Sequence, residues 1–510
     1  MERACKMEKI TYSKSYLNRG AGILLPISAL PSNYGIGTLG KESYKFVDFL
    51  TRIGSIYWQV LPIGPTSYGD SPYQSFSAFA GNPYFIDLDF LVEEQLLKKE
   101  EIDAYLWQVS EDKVDYGLIY KSRFKILKTA YLRSSHKNKK EYLDFCKDNR
   151  YWLEDYCLYM AVKTHFDNHE WLLWDDDIKN RKPEAIEKYQ DLLQDEINFW
   201  AFVQYKFYEQ WNKLKAYTNS KGIQIIGDIP LYVAMDSADV WAHHEQFELD
   251  ERKNPINVAG VPPDLFSEYG QRWGNPLYRW DVMEKDDFTW WRERMKASAA
   301  LYDVIRIDHF IGMVNYYSIP AENETAVNGC WKEGPGRKLT DIIMESIGEA
   351  KIIAEDLGVL TPNVIELIEE TGFPGMKILE FGLDGPIDNP YLLHNFKTSN
   401  VVAYTGTHDN ETLVGYLEKK NPDELEFICK YFNGKVETLP DTIIRALYAS
   451  VADVIIVQMQ DLLKLDNSAR MNYPSTIGGN WQWRLMTSQY ELINEKSLYE
   501  LAYLYGRINT

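Results

Sequence analysis

Carboxylates follow four of the short β-branched runs in this 510-residue chain. The segment VIRIDHF at 304–310 sets Arg306 two residues before Asp308, so in an extended strand both side chains share a face. A guanidinium beside a carboxylate favours its ionised form, and an oriented carboxylate can act as a nucleophile. An isolated Arg-x-Asp is equally well a structural ion pair. KIIAEDLG at 351–358 carries Glu355 and Asp356, which point to opposite faces if the strand runs that far. One of them suits a general acid with a raised pKa and the other a helix cap. VVAYTGTHDNET at 401–412 brings His408, Asp409 and Asn410 to the place where a strand meets its loop, although Asp and Asn also favour plain turns. GDIP at 227–230 puts Asp228 in a similar position. Each signal alone is weak, but burying so many acids without a use costs free energy. Paired carboxylates in a chain with 15 Trp, 36 Tyr and 21 Phe are the equipment of glycoside chemistry, since flat rings suit sugar faces. An aromatic-rich core would explain that composition as well. No metal-ligand spacing, P-loop or nucleophile elbow competes.

Such acids need strands to aim them. Eight short runs qualify, at 22–27, 57–63, 223–228, 302–310, 351–357, 376–382, 400–410 and 452–460. Most are nearly continuous apolar stretches, as in parallel strands covered on both faces. Helical patterns lie between them, for example at 41–51, 361–371 and 422–432. Eight strands alternating with helices predict an α/β fold, a (β/α)8 TIM barrel. A doubly wound open sheet is the alternative, but no GxGxxG follows the first strand. Helical periodicity at 91–106, 121–134, 142–165 and 185–217 predicts a helical insertion subdomain over 84–220, with 136–141 as a solvated turn. The stretch 236–294, rich in Pro, Gly and Trp, reads as a second insertion whose loop at 260–280 covers a groove. Loops at the carboxyl ends of barrel strands build active sites, so both insertions would shape a substrate groove on one catalytic barrel spanning 1–510.

Composition narrows the class. Apolar residues at 45% exclude disorder over most of the length. A formal charge of −20 argues against nucleic acid or an anionic membrane as partner. The five cysteines (Cys5, Cys146, Cys157, Cys330, Cys429) are scattered, which suggests neither a disulfide framework nor a metal site. The first residues lack the apolar core of a signal peptide, and no apolar run approaches the roughly 18 residues that would cross a bilayer. A soluble, cytoplasmic protein is expected.

The ordered motifs resemble those of the 4-α-glucanotransferases of the amylomaltase, or disproportionating-enzyme, family in the α-amylase clan. The similar stretches run from Gly20 to Arg484 and include RGAGILLPISALPSNYGIGTLG, YWQVLPIGPTSYGDSPYQSFSAFAGNPYFIDLD, GDIPLYVAMDSADVW, GVPPDLFSEYGQRWGNPLYRW, RIDHF, IAEDLG, FPGMKILEFG, YTGTHDNET and NWQWR. The resemblance implies transfer of α-1,4-glucan segments to glucose or another glucan, without metal or organic cofactor. It implies Asp308 as nucleophile, Glu355 as general acid/base and Asp409 as the third acid, which helps stabilise the transition state. Arg306, His309 and His408 would flank these acids and contact the sugar at the scissile bond. Asp228 and Asp384 resemble further sugar-binding acids, and Ser71, Tyr73, Trp273 and Asn480 resemble groove residues. For Tyr73 and Trp273 a place in the core is the competing reading, and His309 and His408 also suit buried structural positions.

Four positions depart from the family's common choices: Thr38, Leu265, Tyr269 and Ile311. Leu265 replaces a frequent aromatic residue at the groove rim, which bears on glucan length and on the balance of transfer against hydrolysis. Two other readings share the observations. A plain α-glucan hydrolase would use the same acids, and a non-catalytic glucan-binding protein is opposed by the presence of all three.

Overall fold

The computed structural model describes residues 16–508 apart from 68, 264–266, 359 and 477. Twelve strands occur among them: β1 Gly20–Leu24, β2 Tyr57–Gln59, β3 Gln224–Pro230, β4 Asn257–Val261, β5 Gln271–Pro276, β6 Val304–Asp308, β7 Asn315–Pro320, β8 Cys330–Glu333, β9 Lys351–Ala354, β10 Gly375–Ile378, β11 Val401–Tyr404 and β12 Val454–Gln458. Eight form one parallel sheet in the order β10-β11-β12-β1-β2-β3-β6-β9. The N–H of Ala354 donates to the carbonyl of Pro374 at 3.0 Å, which joins β9 to the residue before β10 and closes the barrel. The α/β barrel inferred from the apolar runs is therefore present. Its strands are buried throughout β1, β11 and β12, because helices cover the outside and side chains fill the inside.

The strands end earlier than the apolar runs do. Residues 379–382 were expected in a strand, but Leu379–Leu383 is a helix. The expected strand 400–410 stops at Tyr404, and beyond it Asn410 Oδ1 accepts from the Thr407 N–H at 2.9 Å. At the barrel mouth, side chains and turns take over the backbone groups that the ladder releases. Asp228 and Asp308 lie in the last residues of β3 and β6, while the early ends of β9 and β11 leave Glu355 and Asp409 just beyond their strands, all at the carboxyl rim.

Between β2 and β3 the chain is helical. The longest helix, Gln194–Ser220, packs against Arg150–His165, with Trp200 edge-on to Tyr156 at 6.3 Å. The run expected as one helix at 142–165 breaks at Asn149, whose side chain instead accepts from Trp152 Nε1 at 3.0 Å. The run 185–217 likewise divides at Leu193. His136, expected in a solvated turn, is buried between Tyr142 and Phe202 with ring centroids 4.7 and 4.8 Å away. Burial pushes its imidazole down to about 4, so it packs as a neutral ring.

A second, antiparallel sheet in the order β5-β4-β7-β8 stands beside the barrel. The sequence reading assigned no strands to 257–276 or 315–333. Much of β5 and β8 is solvent-exposed, so neither shows the apolar run that marks a covered strand. β4 pairs with both β5 and β7 and so ties the second insertion to the segment that follows Asp308. No helix among the described residues is long and apolar enough to cross a membrane.

Candidate active site

The site begins with strand register. Asp228 on β3 lies opposite Arg306 on β6. Arg306 Nη1 donates to both oxygens of Asp228, at 2.8 and 2.6 Å, while its Nη2 stands 3.0 Å from Asp308 Oδ1. Burial alone would depress this guanidinium, but the two carboxylates outweigh it and raise it well above its ordinary value. A permanent cation thus bridges a fully covered Asp228 and an Asp308 that opens to the mouth. Tyr73 donates its hydroxyl to Asp228 Oδ2 at 2.8 Å, completing that acid's partners. Burial, then the Asp228 charge, raises the Tyr73 phenol well above its usual range and keeps it neutral. Gly227 permits this packing, since a Cβ there would lie 2.1 Å from the Tyr302 ring. Arg294 anchors the end of β3 by donating to the carbonyls of Pro230 and Leu231 at 2.5 and 3.1 Å.

Glu355 follows β9 directly. Its backbone N–H donates to Ile307 on β6 at 3.1 Å, which sets it beside Asp308. Its Oε2 accepts from the His309 N–H at 2.6 Å and its Oε1 from the Leu357 N–H at 2.8 Å. Burial, and next the neighbouring Asp308 charge, push its carboxyl up to about 8, against Arg306 and the two N–H groups. His309 adopts φ 55°, left-handed backbone that costs a non-glycine residue about 1 kcal/mol and turns its N–H onto Glu355. Its ring stands edge-on to Trp273 of β5 at 4.8 Å, and burial pushes the imidazole down to about 4. Its buried Nε2 has no hydrogen-bond partner among the described residues. Asp356, the other candidate on this strand, faces away and accepts from the Met376 N–H at 2.7 Å. The alternative left open at this pair is settled: Asp356 braces β10 and Glu355 enters the mouth.

Asp409 arrives on the loop after β11. Its Oδ1 accepts from Asn472 Nδ2 at 2.7 Å, and its Oδ2 lies 3.4 Å from His408 Nε2. Tyr73 stacks on the His408 ring at 5.1 Å and 17°, with Trp481 next to both at 5.9 and 5.8 Å. Tyr73 therefore joins the two halves: its hydroxyl meets Asp228 and its face meets His408.

The remaining candidates stand apart from this cluster. Ser71 Oγ accepts from the Tyr73 N–H at 3.3 Å and shapes the loop that carries Tyr73. Asn480 spends its amide on a loop, accepting from the Tyr473 N–H at 3.0 Å and donating to Thr476 Oγ1 at 3.0 Å. Asp384 accepts from the Tyr416 hydroxyl at 2.6 Å and pairs with Lys420. Of the departures from family choices, Thr38 is buried and donates to Asp87 Oδ2 at 2.6 Å, Ile311 is buried, and Tyr269 is exposed. Leu265 lies outside the described residues, as does Phe266 of the proposed covering loop.

Eight of these side chains, from Asp228 through Arg306, Asp308, His309, Glu355, His408 and Asp409 to Tyr73, thus converge at the carboxyl end of one barrel. Comparison with known proteins agrees with that arrangement. A family model described as 4-alpha-glucanotransferase matches residues 25–489. The chain belongs to the 4-alpha-glucanotransferase family. The 4-alpha-glucanotransferase of Clostridium butyricum is 49% identical over 486 residues, covering 94% of this chain and 99% of that protein. That of Streptococcus pneumoniae is 48% identical over 498 residues, covering 96% and 98%. Among solved structures, the amylomaltase of Streptococcus agalactiae in complex with acarbose is 41% identical, with a TM-score of 0.93 over 96% of this chain and 100% of the other. The barrel and its family are thereby established together.

Several 4-alpha-glucanotransferase site neighbours escaped the sequence reading. Arg470 and Asn472 touch Asp409 from a segment far along the chain, and only their place in SARMNYP could have drawn notice. Trp481 was quoted only within a motif, yet its ring closes the stack on Tyr73 and its φ is 63°. Arg294 enters the sequence reading only as the last residue of the 236–294 insertion. No spacing rule relates such residues to a carboxylate on another strand.

Proposed function

We propose that this chain transfers a segment of an α-1,4-glucan to the 4-hydroxyl of glucose or another α-1,4-glucan, with retention, through a covalent glycosyl-enzyme. The observation that carries the proposal is the pairing of a buried Glu355, pushed up to about 8, with an Asp308 held by a permanent cation in the same mouth. At neutral pH Glu355 keeps its proton, and protonating a glycosidic oxygen requires that. Asp308 Oδ attacks the anomeric carbon as the bond from that carbon to the leaving 4-oxygen breaks, and Glu355 gives its proton to that oxygen. Glu355, now a carboxylate, takes the proton of an incoming 4-hydroxyl, whose oxygen displaces Asp308 and restores the original anomeric configuration. Arg306 stays charged throughout and keeps Asp308 aimed.

Asp409 and the unused Nε2 of His309 supply groups for sugar hydroxyls, which a distorted ring at the transition state meets more closely. Trp273, Tyr73 and Trp481 offer ring faces to pyranose units. Ser71, Asp384 and Asn480 serve more distant units, on this reading. The stretch 84–220 forms a helical subdomain and 236–294 an insertion that covers the groove and excludes water. Transfer prevails over hydrolysis when an acceptor is held and water is kept out.

Incubation with maltotriose, with products resolved by chain length, tests this. A ladder of longer oligomers with released glucose and a nearly constant number of reducing ends is expected. Only shorter sugars, with rising reducing ends, would make the chain a hydrolase. No conversion would remove the proposal.

A further inference from the structure

The loop after β12 reaches Asp409 on the loop after the neighbouring β11, and the reaction scheme gives it no task. Asn472 sits there with two of its donors aimed at the His408–Asp409 segment. Its Nδ2 donates to Asp409 Oδ1 at 2.7 Å, and its backbone N–H donates to the His408 carbonyl at 3.1 Å. Arg470 clamps the same pair, donating from Nη2 to the Asp409 carbonyl at 2.6 Å and from Nε to the Asn472 carbonyl at 2.8 Å. Further along, Asn467 Oδ1 accepts from the Thr412 N–H at 3.1 Å and Gln458 Nε2 donates to the Glu411 carbonyl at 3.1 Å. The end of β12 and the loop after it are thus fastened to the loop that carries Asp409, whose Oδ1 is held by the Asn472 amide while His408 Nε2 stands 3.4 Å from Oδ2.

That carboxylate needs a restraint. The Asp409 side chain is 45% exposed, so packing alone does not fix its rotamer. We propose that Asn472 is the positioning residue for Asp409: its amide N–H holds Oδ1 and thereby turns Oδ2 toward the sugar. This rests on the reading of Asp409 as the acid that grips the sugar in the transition state. Chemistry restricts what can stand at 472. The residue must be a neutral donor of this length, because a hydroxymethyl group falls short, a methyl group donates nothing, and a carboxylate would repel Asp409.

The test uses the full-length protein and its maltotriose transfer, measured from pH 4.5 to 8 with Tm for each variant. Asn472→Ala should lower kcat about 10- to 100-fold and change KM less than about threefold, the pattern of a group that matters mainly in the transition state. Asn472→Asp is the sharper variant. Ionised, its carboxylate faces that of Asp409; protonated, its O–H donates where the amide did. A neighbouring negative charge raises a carboxyl from its ordinary value near about 3.9, so the switch falls in the acidic part of the range. Activity of Asn472→Asp relative to wild type should therefore climb at least about fivefold as pH falls, while the same ratio for Asn472→Ala stays flat. The titratable and charged groups around the pair are His408, Arg470 with Glu411 at 3.4 Å behind it, Tyr73 with Asp228 and Arg306 beyond, and Glu380 beneath Gly406. Wild type and Asn472→Ala share all of them, so the ratio isolates residue 472.

Wild-type kcat in Asn472→Ala, or a pH-independent ratio for Asn472→Asp, would overturn the inference. The recovery of Asn472→Asp at low pH reads within one folded protein and stands even where the alanine variant unfolds. A wild-type protein that makes no transfer ladder would overturn the underlying reading, whereas a transferring wild type beside an unimpaired Asn472→Ala would overturn this inference alone.

Discussion

Two carboxyl groups share one mouth in different surroundings. Asp308 meets solvent and pairs with the Arg306 cation; Glu355 is buried, accepts from two N–H groups and lies beside Asp308, with Arg306 acting on it more weakly than burial and that acid do. The difference sets which one gives a proton. Transfer by the wild type should fall off above about pH 8 as Glu355 loses its proton, a limb that a pH profile of kcat/KM reports. Glu355→Gln should lower kcat by about 10²- to 10⁴-fold, the range for loss of a general acid, with little effect on glucan binding. The same residue affects stability. Because burial raises its pKa on folding, the folded chain holds a proton that the unfolded chain releases between about 4.3 and about 8, so wild-type stability falls as pH rises through that window. The Tm of Glu355→Gln relative to wild type should accordingly rise from pH 5 to pH 8 in parallel thermal melts (about the span between the two pKa values). A difference independent of pH would mean that Glu355 ionises normally.

At the scale of elements, the barrel supplies the acids and the second sheet supplies a wall. β5 brings Trp273 against His309, whose backbone in turn holds Glu355. Trp273→Ala should raise KM for maltotriose by about 3- to 10-fold, as expected for one lost aromatic face, and should lower the ratio of transfer to hydrolysis. Measuring oligomer formation against reducing ends in one time course checks both. The barrel strands and acids were legible in the chain because covered parallel strands are apolar runs and the acids end them. VIRIDHF marked Arg306 and Asp308 in this way, and IAEDLG marked the pair Glu355 and Asp356. The wall was not legible, since β5 and β8 are wet and carry no apolar rhythm. Nor was the choice between Glu355 and Asp356, which depends on where β9 ends. Asn472 and Arg470 stayed hidden for another reason: their partner lies on the loop after a different strand, and pairing between distant segments is not written in local pattern.

The whole molecule must hold its two ends together, since β1 and β12 are neighbours in the closed barrel. Arg507, buried near the carboxyl end, donates to the carbonyls of Gly20, Tyr448, Ser450 and Asp453 at 2.8 to 3.2 Å. Arg507→Met keeps the volume but removes the hydrogen bonds donated to those four carbonyls, at a cost of about 2–4 kcal/mol. Thermal unfolding should show a lowered Tm with kcat unchanged at moderate temperature, because the contacts lie far from the mouth in the fold. The central claim concerns one bond. The measurement that tests it most directly is mass spectrometry of Glu355→Gln protein after incubation with α-maltosyl fluoride, whose leaving group needs no acid. With the acid/base removed, a maltosyl adduct should accumulate on the peptide that carries Asp308. No adduct, or one on the peptide of another carboxylate, would contradict the double displacement through Asp308.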